Sequence, residues 1–201
     1  PAMNTAMYEN PVTQDNLRCL KQYGVRIAEP ASGRLACGDT GAGKMLEPEE
    51  LYRYVEREIA RSKDLAGRKV LVTAGATREA VDPVRFITNH STGKMGFALA
   101  RECMLRGAEV TLVRGFTTGE PPMFVEDIET ESAADMFDAV VSRADEQDII
   151  IKAAAVADYT PCQVSDQKVK KKDGDLSIPM KRTRDILKYL GENKREGQFL
   201  C

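Results

Sequence analysis

The sequence carries one histidine, no C-x-x-C pair and no apolar run near membrane-spanning length, and its charges almost cancel. Each shortage removes a class of function. A Ser-His-Asp triad would have to use His90, and nothing in the spacing around that residue supports one. The five cysteines (Cys19, Cys37, Cys103, Cys162, Cys201) are scattered and odd in number, so neither a disulfide framework nor a zinc site is indicated. A reducing cytoplasm is the simplest setting for them. Crossing a bilayer takes about 20 consecutive apolar residues, and neither such a run nor a signal-peptide pattern is visible, so no membrane role is expected. A net charge of −2 sets up no field to draw nucleic acid or anionic lipid. The one basic run, Lys168 to Lys172, lacks the interleaved aromatics that stack on bases. What remains is an ordinary globular composition, 42% apolar and 30% charged, with 201 residues available for one or two domains.

Residues 1–47 are rich in Gly, Asn, Pro and Thr, with Gly24 to Ala28 readable as a short strand. A helix follows, with Pro48 near its start, Glu49 and Glu50 in its first turn, and Leu51, Tyr54, Val55 and Ile59 on one face. Leu65 to Arg68 reads as a linker and the best boundary. From Lys69 strand and helix patterns alternate: Val70 to Thr73, a helix over 95–106 stopped by Gly107, Val110 to Val113, Val125 to Thr130, a helix capped by Ser132 with Asp135 three places on, and Asp148 to Ile151. That alternation implies βαβ units, a parallel sheet and helices on both faces. Ligands in such folds bind beyond the carboxyl ends of the strands. The chain opens at Pro1 inside a loop motif and closes on Gly197 to Cys201, the start of an apolar strand, so an interior piece of a longer protein is expected.

Three segments fall where that rule points. The connection after the first strand runs Thr73-Ala74-Gly75-Ala76-Thr77-Arg78 and continues through Arg85, Asn89, His90, Ser91, Thr92, Gly93 and Lys94 into a helix. Small residues let a phosphate approach the backbone, and a helix start adds unpaired N–H groups there. Ala153-Ala154-Ala155-Val156-Ala157-Asp158-Tyr159 leaves room for a flat ring or sugar, and Asp158 is suited to accept hydrogen bonds from hydroxyls or to help hold a metal. No set of metal ligands can be picked out from spacing. The basic run from Lys168 is placed to close over a triphosphate and offset charge developing in nucleotidyl transfer. A fourth segment misleads. Gly38 to Lys44 has P-loop spacing, but Met45 stands where Ser or Thr would ligate Mg²⁺, no apolar strand precedes it and the helix starts late, at Pro48. A glycine-rich flap carrying Cys37 is expected instead.

Taken in order, these motifs resemble two enzyme families. Pro1-Ala2-Met3-Asn4-Thr5-Ala6-Met7 resembles the P-x-M-N-x-x-M signature of the flavin-dependent cysteine decarboxylases, and Ala31 to Met45 resembles the substrate flap of the phosphopantothenoylcysteine decarboxylases. Val70–Gly96, Ala153–Tyr159 and Lys168–Lys172 resemble the bacterial phosphopantothenate–cysteine ligases, with Asn-His-Ser-Thr-Gly where that family commonly has two serines. The resemblance implies an α/β protein: a Rossmann-like three-layer parallel-sheet ligase domain over 65–201, preceded over 1–64 by the C-terminal part of a flavodoxin-like flavoprotein domain. It implies coenzyme A biosynthesis, in which 4′-phosphopantothenate is activated by CTP and Mg²⁺ to an acyl-cytidylate and taken up by cysteine. FMN-dependent decarboxylation of the phosphopantothenoylcysteine product follows. The implied roles are Asn89 on the acyl-cytidylate, Arg85 beside it, Lys168 on the charge of cytidylyl transfer, and Ala154 and Asp158 on the nucleotide. Gly75, Ser91, Gly93 and Lys94 belong to the binding connection. Asn4 is matched to the substrate carboxylate and Cys37 to redox and proton donation. The family's catalytic histidine and most of its flavin-binding half precede these motifs, so a complete decarboxylase is not expected. A homo-oligomer built on a ligase dimer is also implied.

Two rivals use the same sheet. A short-chain NAD(P) reductase would need Tyr-x-x-x-Lys, which occurs nowhere, and an acid at the end of the second strand, where Arg114 stands. A non-catalytic nucleotide-binding subunit would bind CTP without releasing pyrophosphate.

Overall fold

The computed structural model describes residues 1–36, 38–170 and 176–201. It divides into two compact units, Pro1–Ala60 and Arg61–Cys201. No helix among the described residues is long and apolar enough to cross a membrane.

In the first unit, α1 (Thr5–Tyr8) and α2 (Pro11–Gln22) are each started by an asparagine whose side chain accepts a backbone N–H: Asn4 from Ala6 and Asn10 from Val12, with Pro11 in the first turn of α2. A two-stranded antiparallel hairpin, β1 (Ala31–Arg34) and β2 (Thr40–Lys44), and α3 (Pro48–Ile59) complete it. Gly38 to Lys44 therefore runs into a strand, not into the helix a P-loop requires. The expected strand over Gly24 to Ala28 does not form. Gly24, at φ 84°, ends α2, with its N–H donating to Lys21 and that of Val25 to Leu20, so the start of this segment is consumed by helix termination. The apolar face of α3 buries no residue; Val55 and Ile59 are exposed.

The second unit is organised around a fully parallel sheet of β3 (Lys69–Ala74), β6 (Glu109–Arg114), β7 (Glu126–Glu129), β8 (Ile149–Lys152) and β11 (Phe199–Leu200), in the order β11-β8-β3-β6-β7. Val70, Leu71 and Val72 can be apolar in succession because β3 is central and covered on both faces. On one face Leu71, Val113 and Ile150 join Met136, Phe137 and Val140 of α5 (Ala133–Ala144) and Ile186 and Leu190 of α6 (Ile186–Glu192). On the other, α4 (Lys94–Leu105) lies on β3 and β6 and buries Gly96, Ala100, Met104 and Leu105. Each fully buried Leu, Ile or Met contributes roughly 1.5–3 kcal/mol, so this core is the main source of the unit's stability.

Local signals set the helix ends. Ser132 and Asp135 form a reciprocal capping box on α5. Gly107, at φ 93°, stops α4 by the same six-residue pattern that ends α2. The expected linker over Leu65 to Arg68 is tied to the end of α4: Leu65 N–H donates to the Arg106 carbonyl and Lys63 Nζ to that of Leu105. Two small hairpins stand at the sheet's carboxyl edge, in segments where the sequence shows no strand pattern. They are β4 (Arg78–Ala80) with β5 (Phe86–Thr88), and β9 (Tyr159–Pro161) with β10 (Met180–Arg182).

Candidate active site

The chain leaves β3, builds β6 and β7 on one side, then returns to place β8 on the other. The crevice of such a sheet opens where the order reverses, between the carboxyl ends of β3 and β8. There the connections are stitched together. Ala76 donates to the Phe116 carbonyl (3.0 Å) and accepts from Phe116 N–H (2.7 Å), while Ala155 N–H donates to the Gly75 carbonyl (2.7 Å) and Thr77 N–H to that of Ala155 (3.2 Å). Two buried threonines hold the small-residue segment from behind. Thr73 Oγ1 accepts from the Ala153 and Ala154 amides (3.1 Å each), and Thr77 Oγ1 from Ala157 (3.0 Å). Buried hydroxyls saturated in this way fix a backbone as a strand ladder would. Gly75 and Gly93, at φ 76° and 79°, both sit against Thr117: a Cβ on Gly93 would come within 2.5 Å of its methyl group. Gly93 also opens α4 without a side-chain cap, which leaves the first amides of that helix near the crevice.

The β4–β5 hairpin carries the polar residues to this edge. Glu79, buried, accepts the first amide of α5 from Ala133 (2.9 Å), and Arg78 N–H donates to the Glu131 carbonyl. The Arg78 guanidinium lies between two rings, 3.7 Å from Phe116 and 4.6 Å from Phe86. Past the hairpin, exposed Asn89 donates through Nδ2 to the Ala155 carbonyl (3.2 Å), joining the first and second sequence motifs. Arg85 pairs with the buried Asp82 (2.6 Å) and donates to the Val169 carbonyl (2.8 Å), so the start of the lysine run joins the same hairpin. Lys168 is exposed beside it; Lys171 and Lys172 lie outside the described residues. Ser91 is half-buried, Gly93 buried and Lys94 exposed at the start of α4. Asp158 is exposed at the mouth of a cavity of about 460 Å³, lined also by Lys152, Ala154, Val156, Arg182 and Asp185.

Lys152, which the sequence did not single out, lines the same cavity. Its Nζ is shut away from solvent in that cavity without a hydrogen-bond partner, and burial pushes its pKa down to about 8, with Asp185 acting the other way. A group whose folded-state pKa lies below its unfolded value costs stability while protonated; the cost is complete below pH 8 and is relieved as pH rises toward 10.5. Lys152→Met is therefore expected to stabilise the unit by about 3 kcal/mol at pH 6.5 and about 1.5 kcal/mol at pH 9.5, at 1.36 kcal/mol per pKa unit. Denaturant titrations at the two pH values measure this, and an equal effect at both would contradict it.

Comparison with known proteins fits the two units to two families. The model of the DNA/pantothenate metabolism flavoprotein C-terminal domain matches residues 65–201, and that of the flavoproteins matches residues 1–60. The chain belongs to the DNA/pantothenate metabolism flavoprotein family. It is 50% identical over 199 residues to the coenzyme A biosynthesis bifunctional protein CoaBC of Bacillus subtilis (strain 168), a match covering 98% of this chain and 49% of that protein. It is 47% identical over 205 residues to a cysteine/cysteine sulfinic acid decarboxylase from an unknown prokaryotic organism, covering all of this chain and 57% of the relative. A crystal structure of the C-terminal domain of a CoaBC protein superposes with a TM-score of 0.61 at 47% identity, covering 69% of this chain and 65% of that one. The chain thus spans about half the length of the CoaBC relatives it matches.

In this family member the flavoprotein-matched unit holds the remaining expected residues. Asn4 is engaged as the cap of α1, accepting from Ala6 at 2.8 Å, and Cys37 lies outside the described residues. Met3 N–H donates to the Gly43 carbonyl (3.0 Å) and Thr5 Oγ1 to that of Ala42 (2.8 Å), so the Met-Asn motif is bound to the flap. Gly43 is the only buried residue described among residues 1–60. Hydrophobic periodicity alone does not mark Thr73 and Thr77 as supports. The usable signal was a threonine at the end of a buried strand, and another four residues on, facing a stretch that has no side-chain oxygens of its own.

Proposed function

We propose that residues 65–201 catalyse the CTP-dependent joining of 4′-phosphopantothenate to cysteine through an acyl-cytidylate. Residues 1–64 are the C-terminal part of the FMN-dependent decarboxylase that acts on the product, 4′-phosphopantothenoylcysteine. The observation that supports this reading is a set of hydrogen bonds tying separated motif segments together: Asn89 to Ala155, the small-residue segment to Thr73 and Thr77, and Val169 to Asp82 and Arg85. A carboxylate acylates poorly, so the first step makes it a mixed anhydride by attack on the α-phosphate with loss of pyrophosphate; the second releases CMP as the cysteine amine attacks. Both need positioning and cationic stabilisation more than a strong base. Ala154 and Asp158 would receive the nucleotide, Asn89 and Arg85 the activated acid, and Lys168 the charge on the phosphates. Gly75, Gly93, Ser91 and Lys94 provide close backbone approach and the start of α4.

Mg²⁺ would neutralise phosphate charge and is commonly held through substrate phosphates and water. Among the described residues no group of three or more His, Cys, Asp or Glu could hold a metal, and no step is routed through the ion. None is routed through FMN. A cytoplasmic dimer belongs to the same reading. The test is pyrophosphate release from CTP by the intact protein. Release that depends on 4′-phosphopantothenate, with CMP appearing only when cysteine is added, is expected. CTP binding without release would overturn the reading in favour of a non-catalytic nucleotide-binding subunit.

A further inference from the structure

We propose that Asp82 is a positioning residue that locks the start of the lysine run onto the β4–β5 hairpin and so sets where Lys168 stands relative to the crevice. The inference rests on the ligase reading for its kinetic part and on geometry alone for its structural part.

The carboxylate is buried and takes five hydrogen bonds, divided between its two oxygens. Oδ1 accepts from the amides of Val84 and Arg85, both 2.9 Å, which shapes the turn between β4 and β5. Oδ2 accepts from Arg85 Nε (3.0 Å), from the second Arg85 nitrogen (2.6 Å) and from the Val169 amide (3.0 Å). The same Arg85 nitrogen returns a bond to the Val169 carbonyl (2.8 Å), so both backbone groups of Val169 are held by one ion pair. A third link, Ser165 N–H to the Val81 carbonyl (3.0 Å), fixes the approach to it. Lys168 and Lys170 flank the pinned residue and are exposed. The guanidinium of Arg85 and the amide donors hold the Asp82 carboxyl well below the usual range, so the lock stays ionised at ordinary assay pH.

The division of labour gives a selective test. Asp82→Asn keeps one carbonyl oxygen, enough for the turn at Oδ1, and sets an NH₂ group against the three donors that met Oδ2. The intact protein is compared as wild type, Asp82→Asn, Lys168→Gln and the double variant. The Val169 amide is expected to exchange at least about tenfold faster in Asp82→Asn while the amides of the β3 strand keep their protection. The rate of pyrophosphate release is expected to fall about 10–100-fold with KM for CTP within about threefold, the signature of a displaced group acting in the transition state. The double variant is expected to be no slower than Lys168→Gln, because Asp82 works through that residue; a further fall, which would mean it works through Arg85, overturns the proposal. Unchanged Val169 exchange, or a rate within twofold of wild type, overturns the proposal. So does loss of β3 protection alongside the rate, which would make Asp82 a residue of the fold only. If wild type releases no pyrophosphate, the ligase reading fails, and Val169 exchange still decides the lock.

Discussion

Lys168→Gln is expected to abolish phosphopantothenate-dependent pyrophosphate release, a loss of at least about 10²–10³ in rate, the size that follows removal of one preorganised group from a developing charge. Two negatively charged partners, a carboxylate and a triphosphate, meet in that step, and the departing pyrophosphate gathers more charge. Glutamine keeps most of the length and a donor but carries no charge. Lys168 stands next to the residue tied to Arg85 and Asp82, so its ammonium works from a fixed backbone. Asn89→Asp is expected to act at the other step. The Nδ2 donor to the Ala155 carbonyl becomes a carboxylate oxygen facing a carbonyl oxygen, which is expected to displace the side chain while leaving the charge of Lys168 in place. Pyrophosphate release without cysteine should therefore survive in Asn89→Asp, while formation of the cysteine amide falls. The two half-reactions are followed separately by pyrophosphate and CMP assays. Wild-type rates for both variants would defeat these roles.

The parallel sheet was legible because its strands are short apolar runs bounded by capped helices. Val70 to Thr73, Val110 to Val113 and Asp148 to Ile151 fall within a residue or two of β3, β6 and β8. Ser132 with Asp135, and Gly107, are local signals that act where they stand in the chain, so they survive tertiary context. The hairpins were hidden for the opposite reason. β4 and β5 offer three residues each, Phe86 and Ile87 are exposed, and their pairing is fixed by Asp82 in the turn and Glu79 on the end of α5, neither of which leaves a periodic trace. Gly24 to Ala28 was misread because Val25 and Ile27 alternate as a strand does; Gly24 had already been spent on closing α2. In the candidate site, residue types suited to phosphate were readable from the sequence. The supports were not: Thr73, Thr77, Asp82 and Lys152 matter through partners about 70 to 90 residues away or through the absence of any partner.

Gly75→Ala is expected to cost the second unit about 2–5 kcal/mol, combining roughly 1–2 kcal/mol for a left-handed backbone with 1–3 kcal/mol for overpacking. The residue sits at φ 76°, and an added Cβ would press into the Phe116 carbonyl oxygen and lie 2.8 Å from the Thr117 methyl. Neither neighbour yields cheaply. The Phe116 carbonyl accepts the Ala76 amide, Phe116 N–H returns a bond to Ala76, and the Gly75 carbonyl itself accepts from Ala155. Relieving the clash therefore loosens the joint between the connections after β3, β6 and β8, the same joint on which the crevice depends. A melting point lower by about 10 °C is expected, at 2–4 °C per kcal/mol for a domain of this size, together with loss of pyrophosphate release at temperatures where the variant is still folded. Gly119→Ala is the control: no atom lies within 4 Å of its added Cβ and its φ is not positive, so a change within about 0.5 kcal/mol is expected. Equal melting points for the two variants would show that the connections can part without cost. The tight stitching at Ala76 would then be a feature of packing that the site does not need.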